Sequence, residues 1–294
     1  MSKIEIGGVE HFYELTTPLD QDSSPPTLVF IHGWLLSYKY WQPLIEKLRD
    51  TYPCLAYDLK GFGDSQSNLG DCDDSAFSLK SYAYDLKELL TALNIKKAWL
   101  IGHSLGGSVA IWGADMCSDV IEGVICVNAG GGIYLKEEFE QFRGAGEKMV
   151  KFRAPWLGYI PLLDVVFARM MVKQPLSRYW GKQRLKDFLR AKEQAAIASL
   201  LESTTEEQVH LLPQIVARLA QPLHFIAGKQ DKIMETKYVK HLASFHELFK
   251  NHHDNIFEID NCGHFAMLEQ TDSVHEQILT IVQKCEQNQN KVLP

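Results

Sequence analysis

The stretch AWLIGHSLGG at residues 98–107 contains the pattern Gly-x-Ser-x-Gly between an apolar run and a helical pattern, GSVAIWGADM, at 107–116. A strand that turns sharply into a helix at this pattern exposes the serine hydroxyl above the edge of a sheet. Backbone segments approach so closely in such a turn that side chains at residues 102 and 106 would collide, so glycine is needed there. This stretch predicts a strand, a tight turn and a helix, with Ser104 as a nucleophile.

Apolar runs recur on both sides of this stretch, and each ends in residues that favour a turn. Most lack strict alternation, which is typical of strands buried on both faces of a sheet. Helical patterns at 81–93 and 271–285 lie among them, and Gly7-Gly8 near the start predicts a hairpin. The pattern favours an α/β fold with a mostly parallel, doubly wound sheet. The expected buried strands are residues 27–32, 54–58, 98–102, 121–128, 223–227 and 255–259.

The alternation of strands and helices stops between residues 131 and 214, where only helical patterns occur. One of these patterns opens with a candidate capping box, Thr204 and Glu207. We expect a core of residues 1–130 and 215–294, with 131–214 as a helical lid over the carboxyl ends of the strands. Apolar side chains crowd residues 156–170, and they either pack the lid onto the core or line a pocket over Ser104. The composition of the tail, 286–294, predicts disorder.

Two further turns at strand ends supply candidate partners for Ser104. His264 follows the last predicted strand on a Gly-bearing turn, as a general base should in the order Ser, acid, His. Asp231 ends the preceding strand, where its carboxylate could accept a hydrogen bond from His264 and fix the imidazole tautomer. Asp260, four residues before His264, is the rival acid, and its position favours a strand end facing solvent.

His32-Gly33-Trp34 begins a loop after the strand at 27–32 and suggests how a negative oxygen could be stabilised. In that interpretation, the backbone N–H groups of Trp34 and Leu105 converge on the oxygen of a tetrahedral intermediate. The alternative is a tight turn with a buried tryptophan, which explains Gly33 alone.

The remaining motifs give no cofactor or metal site. Asp58 and Asp64, in a loop with two glycines, are expected to make structural hydrogen bonds. The glycines of this loop do not complete a dinucleotide fingerprint, and no Walker lysine motif occurs. The histidines at 241, 246, 252 and 253 lack the spacing of a zinc motif, so we interpret them as a solvated helix face.

Composition narrows the class of protein. Thirty Lys and Arg against 37 Asp and Glu give a formal net charge of −7, with no basic stripe for a nucleic acid. The best membrane candidate, residues 159–171, is interrupted by Asp164 and Arg169 and is too short for a span. The start, MSKIEIGGVEHFYEL, lacks the apolar core of a signal peptide, and the six cysteines show no close pairing. We expect a cytoplasmic protein with reduced cysteines.

Taken together, HGW at 32–34, DLKGFGDS at 58–65, GHSLGG at 102–107, GKQD at 228–231 and CGHF at 262–265 resemble the α/β-hydrolase superfamily. The loop HGWLLSYKYW at 32–41 is similar to that of bacterial aryl esterases and cofactor-free haloperoxidases. The resemblance implies a triad of Ser104, Asp231 and His264, with Trp34 and Leu105 as oxyanion donors. A serine at position 104 sets the chain apart from haloalkane dehalogenases and epoxide hydrolases, whose nucleophile is an aspartate. The 131–214 insertion is longer and more aromatic than the caps of small aryl esterases.

Several functions are compatible with these motifs. The first hypothesis is a serine hydrolase that cleaves a carboxylic ester of a small apolar substrate through an acyl-enzyme, without a cofactor. The alternatives on the same triad are a carbon–carbon bond hydrolase and a thioester hydrolase, and they include a chlorophyll dephytylase-like esterase. A further alternative is a non-catalytic ligand receptor, in which serine and histidine hold a small molecule without turning it over.

Overall fold

A computed structural model describes residues 2–17, 25–66, 73–130, 136–250 and 255–292. Within them, eight strands form one sheet in which two antiparallel strands precede six parallel ones along the chain. The strands are β1 (Ser2–Ile6), β2 (Val9–Thr16), β3 (Thr27–Ile31), β4 (Cys54–Tyr57), β5 (Ala98–His103), β6 (Ile121–Val127), β7 (Leu223–Gly228) and β8 (Ile256–Ile259). The predicted α/β fold with a mostly parallel sheet is confirmed.

From β3 onward at least one α-helix separates each described strand from the next, and five α-helices follow one another between β6 and β7 in the described residues. The helices are α1 (Gln42–Leu48), α2 (Leu79–Ala92), α3 (Leu105–Met116), α4 (Lys136–Lys151), α5 (Leu163–Arg169), α6 (Arg178–Arg190), α7 (Glu193–Ser203), α8 (Glu206–Arg218), α9 (Thr236–Ala243), α10 (Glu247–Lys250), α11 (Ala266–Glu269) and α12 (Thr271–Val292). Short 3₁₀ helices occur at Tyr38–Trp41, Asp74–Phe77 and Pro155–Tyr159.

The sheet runs in the order β1-β2-β4-β3-β5-β6-β7-β8, so β5, the strand before Ser104, lies near its centre. Strands β1 and β2 form the predicted hairpin, and Gly7 and Gly8 take positive φ of 57° and 78° at its turn. Such angles at both central residues match the right-handed twist of the paired strands, and glycine adopts them without strain. Because β3 to β8 are parallel, their carboxyl ends all lie at one edge of the sheet.

Side chains of the central strands alternate between two apolar clusters, one on each face of the sheet. Val29 and Ile31 point to the side covered by α2, α3 and α8, while Leu28 and Phe30 point to the side of α1 and α12. All four residues are fully buried. Burial of each such side chain contributes roughly 1.5–3 kcal/mol relative to exposure, so both layers stabilise the strands that carry the site.

The described part of the segment between β6 and β7 contains helices and their connecting loops but no strand, as its sequence predicts, and its details differ at two points. The capping residue of α8 is Thr205, whose hydroxyl accepts a hydrogen bond from the Gln208 N–H at 3.2 Å. The predicted capping box at Thr204 is therefore wrong by one residue, since the Thr204 hydroxyl donates to the Leu200 carbonyl instead. Helix α8 also continues beyond residue 214 to Arg218 and packs against α3.

The tail also differs from its prediction. Helix α12 extends to Val292, so residues 286–292 are helical instead of disordered. Helix α12 buries residues such as Val274, Ile278 and Val282 in the core. Because this packing stabilises the helix, the helix continues through its polar last turns. Across the described ranges, none of the helices combines the length and the apolar character that a membrane span requires.

Candidate active site

Ser104 lies in the sharp turn between β5 and α3. Its backbone has φ of 52° and ψ of −119°, a conformation that costs a non-glycine residue about 1–3 kcal/mol and occurs typically at functional sites. A side chain at Gly102 would place its Cβ 2.2 Å from the Gly106 carbonyl oxygen, and one at Gly106 would come within 2.3 Å of the Ile31 carbonyl oxygen. The predicted collisions at both glycines are therefore present, and the turn exposes Ser104 to a cavity.

The loop after β3 brings Trp34 to the same cavity, and Leu105 lines it from the first position of α3. The first N–H groups of a helix have no partner within it, so the Leu105 N–H is free to donate to a bound oxygen. At Gly33 any Cβ would lie 2.7 Å from Nδ1 of His103 and 3.1 Å from Cβ of Ser104. Glycine therefore lets this loop approach the nucleophile turn closely.

The Trp34 side chain has a partner of its own in the helical insertion. Its indole Nε1–H donates to the carbonyl oxygen of Ala196 on α7 at 2.8 Å. The expected alternative for this loop, a turn with a buried tryptophan, does not describe it fully, because the ring is only partly buried. The loop that carries one candidate oxyanion donor is thus attached to the insertion.

His264 and Asp231 meet at the carboxyl edge of the sheet. His264 Nδ1 donates to Asp231 Oδ2 at 2.7 Å, since a carboxylate oxygen can only accept. This bond leaves the imidazole Nε2 unprotonated in the neutral ring and able to accept a proton. Both residues are almost fully buried, at 5% and 4% exposure. Asp260, the rival acid, instead forms an exposed ion pair with Lys229 at 2.9 Å.

Asp231 stays ionised although it is buried. Burial by itself raises the pKa of its carboxyl group, but the neighbouring His264 and the N–H groups of Ile233 and Met234 outweigh burial, so the pKa is lowered. The two backbone N–H groups donate to Oδ1 at 2.8 and 2.9 Å. An ionised carboxylate at this position can both orient the His264 ring and stabilise its protonated form.

Asn128, directly after β6, is a site residue that the sequence reasoning missed. Its side-chain Nδ2 donates to Asp231 Oδ2 and to the Gly263 carbonyl oxygen, both at 3.0 Å, and its Oδ1 accepts from the Ala266 N–H at 3.2 Å. The residue is fully buried and has a positive φ of 48°. It joins the acid to the turn that carries His264. Its position after a buried strand beside β5 is the signal that could have identified it.

His103, beside the nucleophile, is neutral. Burial lowers its pKa to about 3, so the ring carries one proton at neutral pH. That proton lies on Nε2, which donates to the His264 carbonyl oxygen at 2.7 Å. The ring also lies 4.9 Å from the His264 ring, between centroids. His103 therefore supports the base through its main chain, whereas its own Nδ1 has no hydrogen-bond partner among the described residues.

Asp58 and Asp64 have the structural roles that their loop predicts. The buried Asp58 carboxylate accepts from the Tyr38 N–H at 2.7 Å and from the Asp64 N–H at 2.8 Å, which holds two loops together. Burial raises the Asp58 pKa to about 7. Asp64 forms an ion pair at 2.8 Å with Arg190 at the end of α6, so the loop also contacts the insertion.

The cavity above Ser104 has a volume of about 160 Å³ and lies between the core and the insertion. Its walls are mostly apolar, and five of the side chains from α4 to α7 are Phe142, Met149, Phe167, Phe188 and Leu200. The crowded stretch 156–170 contributes only Phe167 and Met170 to this wall. Trp156, Tyr159 and Leu162 are instead 63%, 88% and 64% exposed, so neither expected role fits them.

The histidine, cysteine and acidic side chains of the described ranges do not assemble into a metal site. No group of three or more of them could hold a metal ion there. Of the four-histidine cluster, residues 252 and 253 lie outside the described residues, while His246 is buried and bonds to the Gln221 carbonyl oxygen. His246 is therefore not part of a solvated face.

The chain belongs to the alpha/beta hydrolase family, whose model matches residues 28–277. A soluble epoxide hydrolase from Corynebacterium sp. is 36% identical over 95 residues, which are 32% of each chain, so this chain spans about a third of that relative. A pimeloyl-[acyl-carrier protein] methyl ester esterase from Pseudoalteromonas atlantica is 25% identical over 80% of this chain and 86% of its own.

Among solved structures, a thermophilic esterase from Thermogutta terrifontis has a TM-score of 0.73 at 22% identity, covering 97% of this chain and 99% of that one. This likeness confirms the fold. The chain accordingly has the fold of the alpha/beta hydrolase family. The resemblance predicted from the sequence motifs is confirmed.

Proposed function

We propose that the protein is a serine hydrolase that cleaves a carboxylic ester of a mainly apolar small molecule through an acyl-enzyme. One observation carries the proposal: His264, joined to the buried Asp231 at 2.7 Å, lines the same cavity as Ser104 in its strained turn. A ligand receptor needs no buried acid that fixes the tautomer of a histidine, whereas a base that must accept a proton on Nε2 does. The methyl ester esterase among the relatives is in line with ester chemistry.

In the proposed acylation step, Ser104 Oγ attacks the carbonyl carbon of the ester while its proton passes to Nε2 of His264. The carbonyl π electrons move to the oxygen, which becomes negative in the tetrahedral intermediate. When the intermediate collapses, the bond to the alcohol oxygen breaks, and the leaving alcohol takes the proton from His264. Asp231 remains ionised throughout, because its hydrogen bonds hold its pKa low.

In deacylation, a water molecule gives its proton to His264 and attacks the acyl carbon. The second tetrahedral intermediate expels Ser104, which recovers the proton, and a carboxylic acid leaves. The N–H groups of Trp34 and Leu105 are the proposed donors to the negative oxygen in both intermediates. Loss of one such donor typically lowers kcat by about 10²–10³-fold, because fixed backbone dipoles need no rearrangement during the reaction.

The substrate proposal rests on the walls of the cavity. Those walls are mostly apolar, and their residues come from both the core and the segment 131–214. The segment 131–214 is therefore proposed to act as a lid that excludes water and selects apolar groups. A cytoplasmic location is proposed with it. Its support is that the described cysteines are free and that four of them are fully buried or nearly so, namely Cys54, Cys117, Cys126 and Cys262.

The test uses a fluorophosphonate probe and a panel of p-nitrophenyl esters of graded chain length. The wild type should be labelled and should hydrolyse the esters, whereas Ser104→Ala should lose both properties and keep its fold by circular dichroism. Ser108→Ala is the matched control, since this serine lines the same cavity one turn along α3. Unlabelled wild-type protein without esterase activity would refute the proposal and favour a receptor. Faster cleavage of the thioesters of the same acids, measured beside the panel, would change the proposed substrate class to thioesters.

A further inference from the structure

One charged side chain enters the wall of the apolar cavity. Arg184 of α6 is only 5% exposed and lines the space that contains Ser104 and His264. Its guanidinium carbon lies 4.2 Å from the centroid of the Phe265 ring, directly after His264. Burial lowers the Arg184 pKa to about 10, so the group is still a cation at neutral pH. None of the proposed catalytic steps uses this charge.

The charge of Arg184 has little compensation from the protein. Its Nη1 donates to the carbonyl oxygens of Met170, at 2.7 Å, and of Phe167. In the part of the chain that the structure describes, its Nε and Nη2 donate no further hydrogen bond, and no carboxylate forms an ion pair with it. Tyr40 and, more weakly, Glu269 raise the Arg184 pKa, but burial raises the pKa of Tyr40 well above its usual value, so its phenol is neutral. Glu269 already accepts backbone N–H groups, including those of Gly263 and Phe265.

A buried cation is costly unless a negative charge or several acceptors satisfy it. Two carbonyl oxygens and one aromatic face satisfy part of a guanidinium that has five N–H donors. The unused donors of Arg184 form a planar fork that matches the two oxygens of a carboxylate. The cavity is thus lined by a buried cation near the proposed nucleophile, among otherwise mostly apolar walls.

We infer that the substrate carries a carboxylate, which pairs with Arg184 while its ester carbonyl lies at Ser104. This inference rests on the proposed esterase function and narrows its substrate class to half-esters of dicarboxylic acids with an apolar spacer. The spacer contacts the apolar walls, and the carboxylate is the counter-ion of Arg184. A neutral ester lacks that pairing and leaves the fork unsatisfied.

Arg184 also has a structural role, because the carbonyl oxygens of Phe167 and Met170 end helix α5. Arg153 offers a matched control for that role. It donates to the carbonyl oxygens of Phe188, at 2.6 Å, and of Ala191 in the insertion, but it does not line the cavity. Replacement of Arg153 therefore loosens the insertion to a similar degree without removing the charge from the site.

The experiment measures kcat/KM at neutral pH for methyl half-esters HOOC–(CH₂)n–COOCH₃ of graded length and for analogues in which a carboxamide replaces the free acid. At the best length, the wild type should prefer the acid over the amide by about tenfold or more, the usual effect of a charge-assisted hydrogen bond. Arg184→Gln should lower this preference by about 10- to 100-fold. Arg184→Lys should keep part of it, since it retains the charge without the fork, and Arg153→Gln should leave the ratio unchanged.

A wild type without any preference at any length would overturn the inference, as would a ratio that Arg184→Gln and Arg153→Gln lower equally. If the methyl esters with a carboxamide are cleaved as fast as those with a free acid, the inference is overturned while the esterase function remains intact. If neither series is hydrolysed and the fluorophosphonate probe does not label Ser104, the proposed function itself fails. Calorimetric titration of Ser104→Ala with linear dicarboxylates, compared with Ser104→Ala/Arg184→Gln, then decides the anion site without catalysis: binding that depends on Arg184 supports it, and equal or absent binding overturns it.

Discussion

Replacement of Asp231 by asparagine changes only one atom and its protons, but the structure predicts a large loss of activity. Every hydrogen bond to this carboxylate is donated to it. Oδ1 accepts from two backbone N–H groups that cannot turn around, so the amide oxygen of the introduced side chain should take this position. The amide NH₂ then lies where Oδ2 was, facing Nδ1 of His264 at 2.7 Å and Nδ2 of Asn128 at 3.0 Å.

Two donors then face each other at His264, and the ring relieves the conflict by moving its proton from Nδ1 to Nε2. A ring protonated on Nε2 cannot accept the proton of Ser104, so the base is blocked in the neutral enzyme. Loss of the acid in a triad of this kind lowers kcat by about 10²–10⁴-fold. The change should appear in kcat, with KM nearly unchanged, because Asp231 is buried behind His264 and does not line the cavity.

The assay is the initial rate of p-nitrophenyl ester hydrolysis over a range of concentrations, with urea denaturation as the check on folding. Asp260→Asn is the matched control. Its carboxylate is 72% exposed and pairs only with Lys229, and a surface pair of this kind contributes about 0–1 kcal/mol. We expect this control to keep kcat within about twofold. A loss below tenfold in Asp231→Asn, or equal losses in both variants, would refute the assignment of the acid.

Three further outcomes are expected. Asn128→Ala should lose about 2–4 kcal/mol of unfolding free energy by urea denaturation, since it leaves two buried backbone groups unpaired, and it should lower kcat about tenfold. Asn255→Ala, which removes a buried bond to Leu223 away from the site, should lower stability but not kcat, and equal kcat values in both variants would rule out a positioning role for Asn128. The pKa of Asp58 is raised from 3.8 to about 7, so its proton stabilises the folded state fully below pH 3.8 and this stabilisation is lost as the pH rises through 7. The amide introduced by Asp58→Asn has one acceptor oxygen for the two N–H groups of Tyr38 and Asp64, which lowers stability at every pH. The stability difference from the wild type should nevertheless move in favour of the variant between pH 4 and pH 8, by up to about 4 kcal/mol, and a constant difference across this range would contradict the raised pKa. Finally, each added pair of methylenes in the acyl chain should raise kcat/KM about tenfold until the cavity is filled, whereas a steady decline beyond acetate would exclude an apolar acyl site.

The strands of the core could be predicted because the same residues favour β structure locally and suit burial inside the sheet. A run such as TLVFI at β3 is apolar, β-branched and followed by a turn, and burial on both faces needs nothing else. The same logic located Ser104, Asp231 and His264, since the parallel order of the strands brings their carboxyl ends to one edge. Asn128 obeys this rule too, but a lone asparagine after a strand also fits an ordinary turn.

The burial of individual side chains in the insertion could not be predicted, because it depends on contacts between residues that are far apart in the sequence. Arg184 occurs in RYWGKQRLKDFLR among other charged residues that suggest a solvated face, and only the packing of α5 on α6 buries it. The opposite error concerns Trp156 and Tyr159, whose apolar character suggested a core or a pocket although both are exposed. A helical period identifies a helix, whereas the surface that covers each face depends on tertiary structure.

The hydrogen bond from the Trp34 indole to the Ala196 carbonyl oxygen connects the loop of a proposed oxyanion donor to helix α7 of the insertion. The amide of Trp34 is the proposed donor to the reaction's negative oxygen, and its side chain is held by a helix that lines the cavity. Displacement of α7 to admit a molecule would therefore shift the same residue that must later stabilise the intermediate. In an enzyme connected in this way, the position of α7 and the geometry of the proposed oxyanion donors would change together.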